Sequence, residues 1–284
     1  MLRRNGAHAT LTDMYMYNPP SNLALRDSIE KILQKSFFDS SSGSFNPKKI
    51  ERPLLYLVNN LEDIQSLPAT LTRIIQPDTE MAVSALSLPI AIELRKQEAW
   101  LQQHAVHVIG DYSSPHNAHE DKRVFFYSSG VIRPFISHVY KEISTFLSPL
   151  AAKYRGSIAP IGSDLLPDFP CKLDVDILAC VPDKKDYESF CQELARSGVF
   201  VVPPREIGEL HRFFYAQLFG APIDLHVYNA PLERCPLYNQ TQQLQNDAQL
   251  RDKYKQFKLK NEGVKIDEYR RAKAAFRKEI GWTS

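Results

Sequence analysis

Two aspartates sit two residues apart inside an otherwise apolar run, Lys172-Leu-Asp-Val-Asp-Ile-Leu-Ala-Cys-Val181. Val175, Ile177, Leu178 and Val181 make this run read as a largely buried strand. Side chains alternate across a strand, so Asp174 and Asp176 point to one face, about 7 Å apart. Two carboxylates on a half-buried face repel each other and lose hydration unless something offsets both costs. A divalent cation does so, and Mg2+ in particular takes carboxylate oxygens together with substrate phosphates and water. An Asp-x-Asp by itself marks solvated strand edges and turns in most chains, so the sequence around it has to decide.

Upstream, Ile158-Ala-Pro-Ile-Gly-Ser163 is a short apolar strand that ends in a Gly-Ser turn. Gly162 lets backbone N–H groups approach an anion and Ser163 adds a hydroxyl donor, which suits a phosphate. Downstream, Ile223-Asp-Leu-His-Val227 is a second apolar strand with an acid inside it, and Asp224 completes a set of three carboxylates. Such a set can hold two metal ions that bridge nucleotide phosphates and activate an attacking hydroxyl.

The order Gly-Ser, Asp-x-Asp, Asp resembles the polymerase-β-type nucleotidyltransferase superfamily. Within it, residues 136–282 are most similar to the GrpB family. That family's "IGS", "KPIIDI" and "LHV" strands correspond to Ile161-Gly-Ser163, Lys172-Leu-Asp-Val-Asp-Ile177 and Leu225-His-Val227. Its "VPGL"-like turn corresponds to Leu166-Pro-Asp-Phe169, and its two helical patterns to the segments from Tyr254 to Lys258 and from Tyr269 to Phe276. Two positions depart from the pattern. An apolar residue is common in GrpB proteins where Asp174 stands, and Asp164 replaces a threonine that usually follows the Gly-Ser pair. The resemblance implies an α/β (α+β) nucleotidyltransferase fold: a mixed sheet flanked by helices and closed by a helical pair. It also implies Mg2+ (or Mn2+) and a nucleoside triphosphate, expected to be ATP, with the nucleotidyl group passing to an unidentified acceptor. Asp174, Asp176 and Asp224 would be the catalytic and metal-binding residues, Gly162 and Ser163 the phosphate turn, and Lys258 and Lys273 cations for the triphosphate.

Arg212 lies upstream of the third aspartate, where a guanidinium pairing with phosphate would be bidentate and charge-assisted. His226 shares the face of Asp224, although a strand histidine is more often a satisfied core residue. Residues 250–279 carry eleven Lys and Arg against five Asp and Glu, in a chain whose net charge is only +2. The plain reading is a pair of solvated helices with Tyr254, Phe257, Tyr269 and Phe276 on their apolar side. Two other functions stand beside enzymatic transfer: a non-catalytic nucleotide-binding or scaffold module, and nucleic-acid binding through these basic helices.

The first 130 residues read as an α/β region of unknown role, with the nucleotidyltransferase-like part at 131–284. A helix is expected from Leu23 to Phe38, capped by Asn18 or Ser21. Strands are expected at Leu54–Val58 and Val106–Ile109, with a helix from Pro89 to Gln103 between the two. His116, His119 and Glu120 lie in a polar loop and lack a partner at metal-ligand spacing. A long amphipathic helix is expected from Ile136 to Tyr154, with Pro149 as a point of kinking or breakage. The four cysteines form no CxxC pair, so a reducing, cytoplasmic compartment is expected. No apolar run approaches the ~18 residues of a membrane helix, so no membrane partner is expected.

Overall fold

The computed structural model describes residues 15–17, 20–39, 54–58, 61–74, 81–97, 106–108, 124–219 and 221–282. The His116, His119 and Glu120 loop lies outside the described residues.

In the first part, β1 (Tyr15–Tyr17), β2 (Leu54–Val58), β3 (Met81–Ala85) and β4 (Val106–Val108) pair in parallel and in sequence order. Parallel neighbours need a crossover between them. Here α1 (Leu23–Asp39), α2 (Leu61–Ile74) and α3 (Leu88–Lys96) supply it. The N-terminal cap of α1 is Asn22, whose Oδ1 accepts the Leu25 N–H at 3.1 Å, rather than Asn18 or Ser21. The helix expected over Pro89–Gln103 is shorter than its apolar pattern: α3 ends at Lys96 in a turn at Gln97.

The next helix, α4 (Ser129–Lys153), starts well before Ile136 and runs through both Pro134 and Pro149. Each proline removes one backbone bond. The helix survives because Ile132, Phe135, Ile136, Val139, Ile143, Leu147 and Leu150 bury one continuous stripe on either side of both. This helix touches both parts of the chain. Its outer side packs on α1, and the Ser28 hydroxyl donates to the Val131 carbonyl at 2.7 Å.

The second sheet has five strands: β6 (Ser157–Pro160), β8 (Val175–Cys180), β9 (Val201–Gly208), β10 (His211–Leu218) and β11 (Ala221–Tyr228). Their order is β6-β8-β11-β10-β9; β8 and β11 run parallel and the remaining pairs antiparallel. This is the expected mixed sheet with flanking helices. A short ladder joins β5 (Tyr127–Ser128) to β7 (Pro170–Cys171). One face of the sheet packs into the main core: Val175, Ile177, Ala179, Phe214, Ala216, Leu225 and Val227 meet α4 and α5 (Lys184–Arg196). The alternate residues, Asp176, Leu178, Cys180, Asp224, His226 and Tyr228, face the other way. Three C-terminal helices follow the sheet: α6 (Pro236–Asn246), α7 (Ala248–Lys260) and α8 (Ile266–Glu279).

Candidate active site

The three aspartates converge. Carboxylate oxygens of Asp174, Asp176 and Asp224 all lie within 4.8 Å of one another. Register explains two of them: Asp176 on β8 stands directly beside Asp224 on β11 in the parallel pair. Asp174 is placed differently from the expectation. It precedes β8 rather than lying in it, and its carboxylate is held by an ion pair with Lys172.

Gly162 closes the space above them. Its φ of +113° belongs to a region that side chains avoid. A Cβ at this position would stand 2.8 Å from Asp164 Oδ1 and 2.9 Å from Asp176 Oδ2. The Gly162 N–H donates to Thr241 Oγ1 on α6 at 3.2 Å. The loop that continues from this turn is pinned to the start of α4: the buried Ser129 hydroxyl donates to the Leu166 carbonyl at 2.6 Å and accepts the Phe169 N–H at 2.9 Å.

The electrostatics are those of crowded carboxylates. Two unit charges 4.8 Å apart repel by roughly 3.5 kcal/mol at an effective dielectric of about 20. Burial, then the charge of Asp174, pushes the Asp176 carboxyl up to about 6. Burial, then Asp176 and Asp174, pushes Asp224 up to about 8. Asp174 is also pushed up by burial, but the Lys172 ammonium outweighs this and holds it below the ordinary carboxylate range. Burial and the Asp176 charge raise Asp164 to about 7, so this fourth carboxyl is partly protonated near neutrality and repels a phosphate less than its sequence implies. Three hard oxygen donors in mutual reach, two of them disfavoured as bare anions, fit a divalent cation.

The expected cations divide into three placements. Lys273 stands where its charge lowers the pKa of all three aspartates. Lys258 is almost fully buried, donating to Ser163 Oγ at 2.5 Å and to the Pro170 carbonyl at 2.9 Å. The rings of Phe126, Phe169 and Tyr254 surround its ammonium at 5.0–5.4 Å, and burial pulls its pKa down to about 8. This lysine braces the Gly162-Ser163 turn. Arg212 lies apart from the aspartates. Its strand position pairs with Val227 on the core-facing side of the sheet. There it forms a bidentate pair with Glu188 of α5, at 2.6 and 3.2 Å.

Two further residues shape the centre. Lys172 neutralises Asp174, and its signal was its place two residues before the first aspartate. Thr241 holds the Gly162 N–H, and no local pattern marks it. His226 does share the face of Asp224 and hydrogen-bonds His211 at 3.0 Å. Burial drives these rings down to about 3 and about 4, so both are neutral at pH 7. The aromatic residues of the basic helices stack on each other: Tyr254 on Phe276 at 5.6 Å and Phe257 on Phe276 at 4.6 Å.

These features define a mixed α/β unit with a three-carboxylate centre on the sheet face opposite α4 and α5. The profile described as GrpB protein matches residues 134–281, just over half of the chain. The chain belongs to the GrpB family. No curated protein matches it. Among solved structures, that of a cytoplasmic RNA terminal U-transferase is similar over 38% of this chain and 40% of its own, at 16% identity and a TM-score of 0.25.

Proposed function

We propose that residues 131–284 carry a Mg2+-dependent nucleotidyltransferase site, moving a nucleotidyl group from ATP to an acceptor hydroxyl. The convergence of Asp174, Asp176 and Asp224 to within 4.8 Å is the observation that carries this reading. Asp174 and Asp176 would hold the divalent cation. A cation bound there supplies charge neutralisation for the triphosphate and acidifies the attacking hydroxyl. The Gly162-Ser163 turn receives the phosphates, and Lys258 fixes the Ser163 hydroxyl in place. Lys273 adds positive charge near the three carboxylates. Asp224, returned to its anionic form by the nearby positive charge of a bound cation, would take the proton of the acceptor hydroxyl as its oxygen bonds to the α-phosphorus. The bond between the α-phosphorus and the bridging oxygen breaks, and pyrophosphate leaves.

Thermal unfolding with Mg2+ and ATP tests the proposal, comparing wild type with Asp176→Ala. A ligand at a hundredfold excess over its Kd stabilises by about 2.7 kcal/mol. A joint, Mg2+-dependent rise in the wild type that is lost in the variant is the expected result. The ligand-induced shift is the quantity to compare, because deleting one of three repelling carboxylates raises the baseline stability. If neither ligand moves the wild type, the reading is wrong.

A further inference from the structure

Cys180 is the last residue of β8, and Cys235 is the residue before α6. Both are fully buried, and their Sγ atoms lie 2.7 Å apart. That separation exceeds a disulfide bond length, about 2.0 Å, by only about 0.7 Å. The two side chains share a small apolar cluster with Ile161 and Leu178, closed by Tyr228, Leu232, Leu237 and Tyr238. The other two cysteines lack this relationship. Cys171 donates to the Phe169 carbonyl at 3.2 Å, and Cys191 is buried on α5.

We propose that Cys180 and Cys235 are a thiol–disulfide pair, a modification site built between the sheet face that carries the aspartates and the start of α6. Cys235 supplies the attacking thiolate, because it sits at the N-terminus of α6, where the helix dipole favours negative charge. Either sulfur can donate in the bond they share; with Cys180 as the donor, the Cys235 thiol is held below its ordinary range and the Cys180 thiol above it. Burial is the main cause that pushes Cys171 to about 12 and Cys191 to about 11, which leaves these two inert.

The oxidant is a low-molecular-weight disulfide such as oxidised glutathione. The Cys235 thiolate attacks one of its sulfurs, its S–S bond breaks, and the first small thiol leaves. The Cys180 sulfur then attacks the mixed disulfide and displaces the second small thiol. The protons of the two protein thiols end on the two leaving thiols. Two protein thiols are oxidised and one external disulfide is reduced.

The bond would tie β8, which carries Asp176, to α6, which carries Thr241 and so the Gly162 turn. It would also close a loop between residues 55 apart, restricting the unfolded chain.

The test uses the full chain in two arms: folded protein exposed to oxidised glutathione, and protein refolded from denaturant in the same oxidant, which reaches the thiols while they are open. After alkylation in denaturant, peptide mass mapping identifies the partners. A single Cys180–Cys235 cross-linked peptide is expected, lighter by two hydrogens, with Cys171 and Cys191 alkylated. The thermal midpoint should rise on oxidation and return with reductant, and Cys235→Ser should lose both effects. Alkylation of all four cysteines in both arms overturns the proposal, as does an equal yield of other pairings. The readout is a covalent mass, so it stands or falls separately from nucleotidyl transfer.

Discussion

Gly162 is the residue on which the geometry of the centre turns. Its φ of +113° and ψ of −179° lie in a region populated almost solely by glycine. Gly162→Ala therefore adds backbone strain of about 1–3 kcal/mol. It also drives a methyl against the carboxylates of Asp164 and Asp176. A lower midpoint in denaturant and a weakened response to Mg2+ are expected together; an unchanged midpoint contradicts the argument. Asp224 makes a second prediction, for protein without metal. Its folded pKa of about 8 is above the ordinary 3.8, so between those values the folded chain keeps a proton that the unfolded chain has released. Stability from this group is present at low pH and is lost as pH rises toward 8. His211 and His226, with depressed values, act in the opposite sense below 6.5, and Lys258 begins to titrate near 8. Between pH 6.5 and 8 Asp164, raised to about 7, titrates in the same sense as Asp224 but is present in both proteins, so the difference between wild type and variant reports Asp224. There Asp224→Asn should gain stability on the wild type progressively with pH, as measured by paired melts in chelator. A pH-independent difference would sink the assignment.

At the scale of elements, the parts legible in sequence were those whose own pattern is strong. The apolar runs around Asp176 and Asp224 announced β8 and β11, and alternation put both acids on one face. Nothing in the apolar run marks where pairing begins, so the sequence alone puts Asp174 inside the strand; its position depends on Lys172, a contact and not a pattern. The strand β9 holds Pro203 and Pro204, which argue against a central strand. It exists because the order of the sheet leaves it at an edge, where missing donors are tolerated. Its pairing with β10 carries register shifts, consistent with that irregular sequence. The sequence around Arg212 does not announce its strand, and one residue of register separates the two faces of a sheet, so the position of Arg212 on the core-facing side is legible only from the pairing with Val227. The polar helix α6 left little signal, since its sequence is rich in Asn and Gln and buries only Thr241 and Leu244. Yet this helix supplies the acceptor for the Gly162 N–H. Thr241→Val keeps the shape and removes that acceptor, leaving a donor unmatched at a cost of about 1–3 kcal/mol. The variant should fold, melt earlier and bind Mg2+ and ATP more weakly. Wild-type ligand binding in Thr241→Val would show that α6 does not order the turn.

At the scale of the whole molecule, α4 decides how far the site-bearing part can stand alone. The family match begins at residue 134, inside this helix, and the aspartates all follow it. The packing does not divide there. The Leu86 carbonyl meets His138 Nε2 at 2.6 Å, and Glu142 Oε2 accepts the Leu88 N–H at the start of α3 at 3.1 Å. Arg95 donates to the Val199 carbonyl at 3.1 Å, joining α3 to the approach to β9. The apolar stripe of α4 shares one continuous core with Leu25, Ile29 and Ile32 of α1. Uncovering even two such side chains, at about 1.5–3 kcal/mol each, would remove a large share of a typical total of about 5–15 kcal/mol. We therefore predict that residues 131–284 produced alone melt well below the full chain, and that adding residues 1–130 as a separate fragment recovers most of the loss. The border near residue 130 would then mark where the site begins, and not where an independent folding unit begins. A fragment 131–284 with the midpoint of the full chain would show instead that α1 and α3 contribute nothing to the stability of the sheet that holds the aspartates.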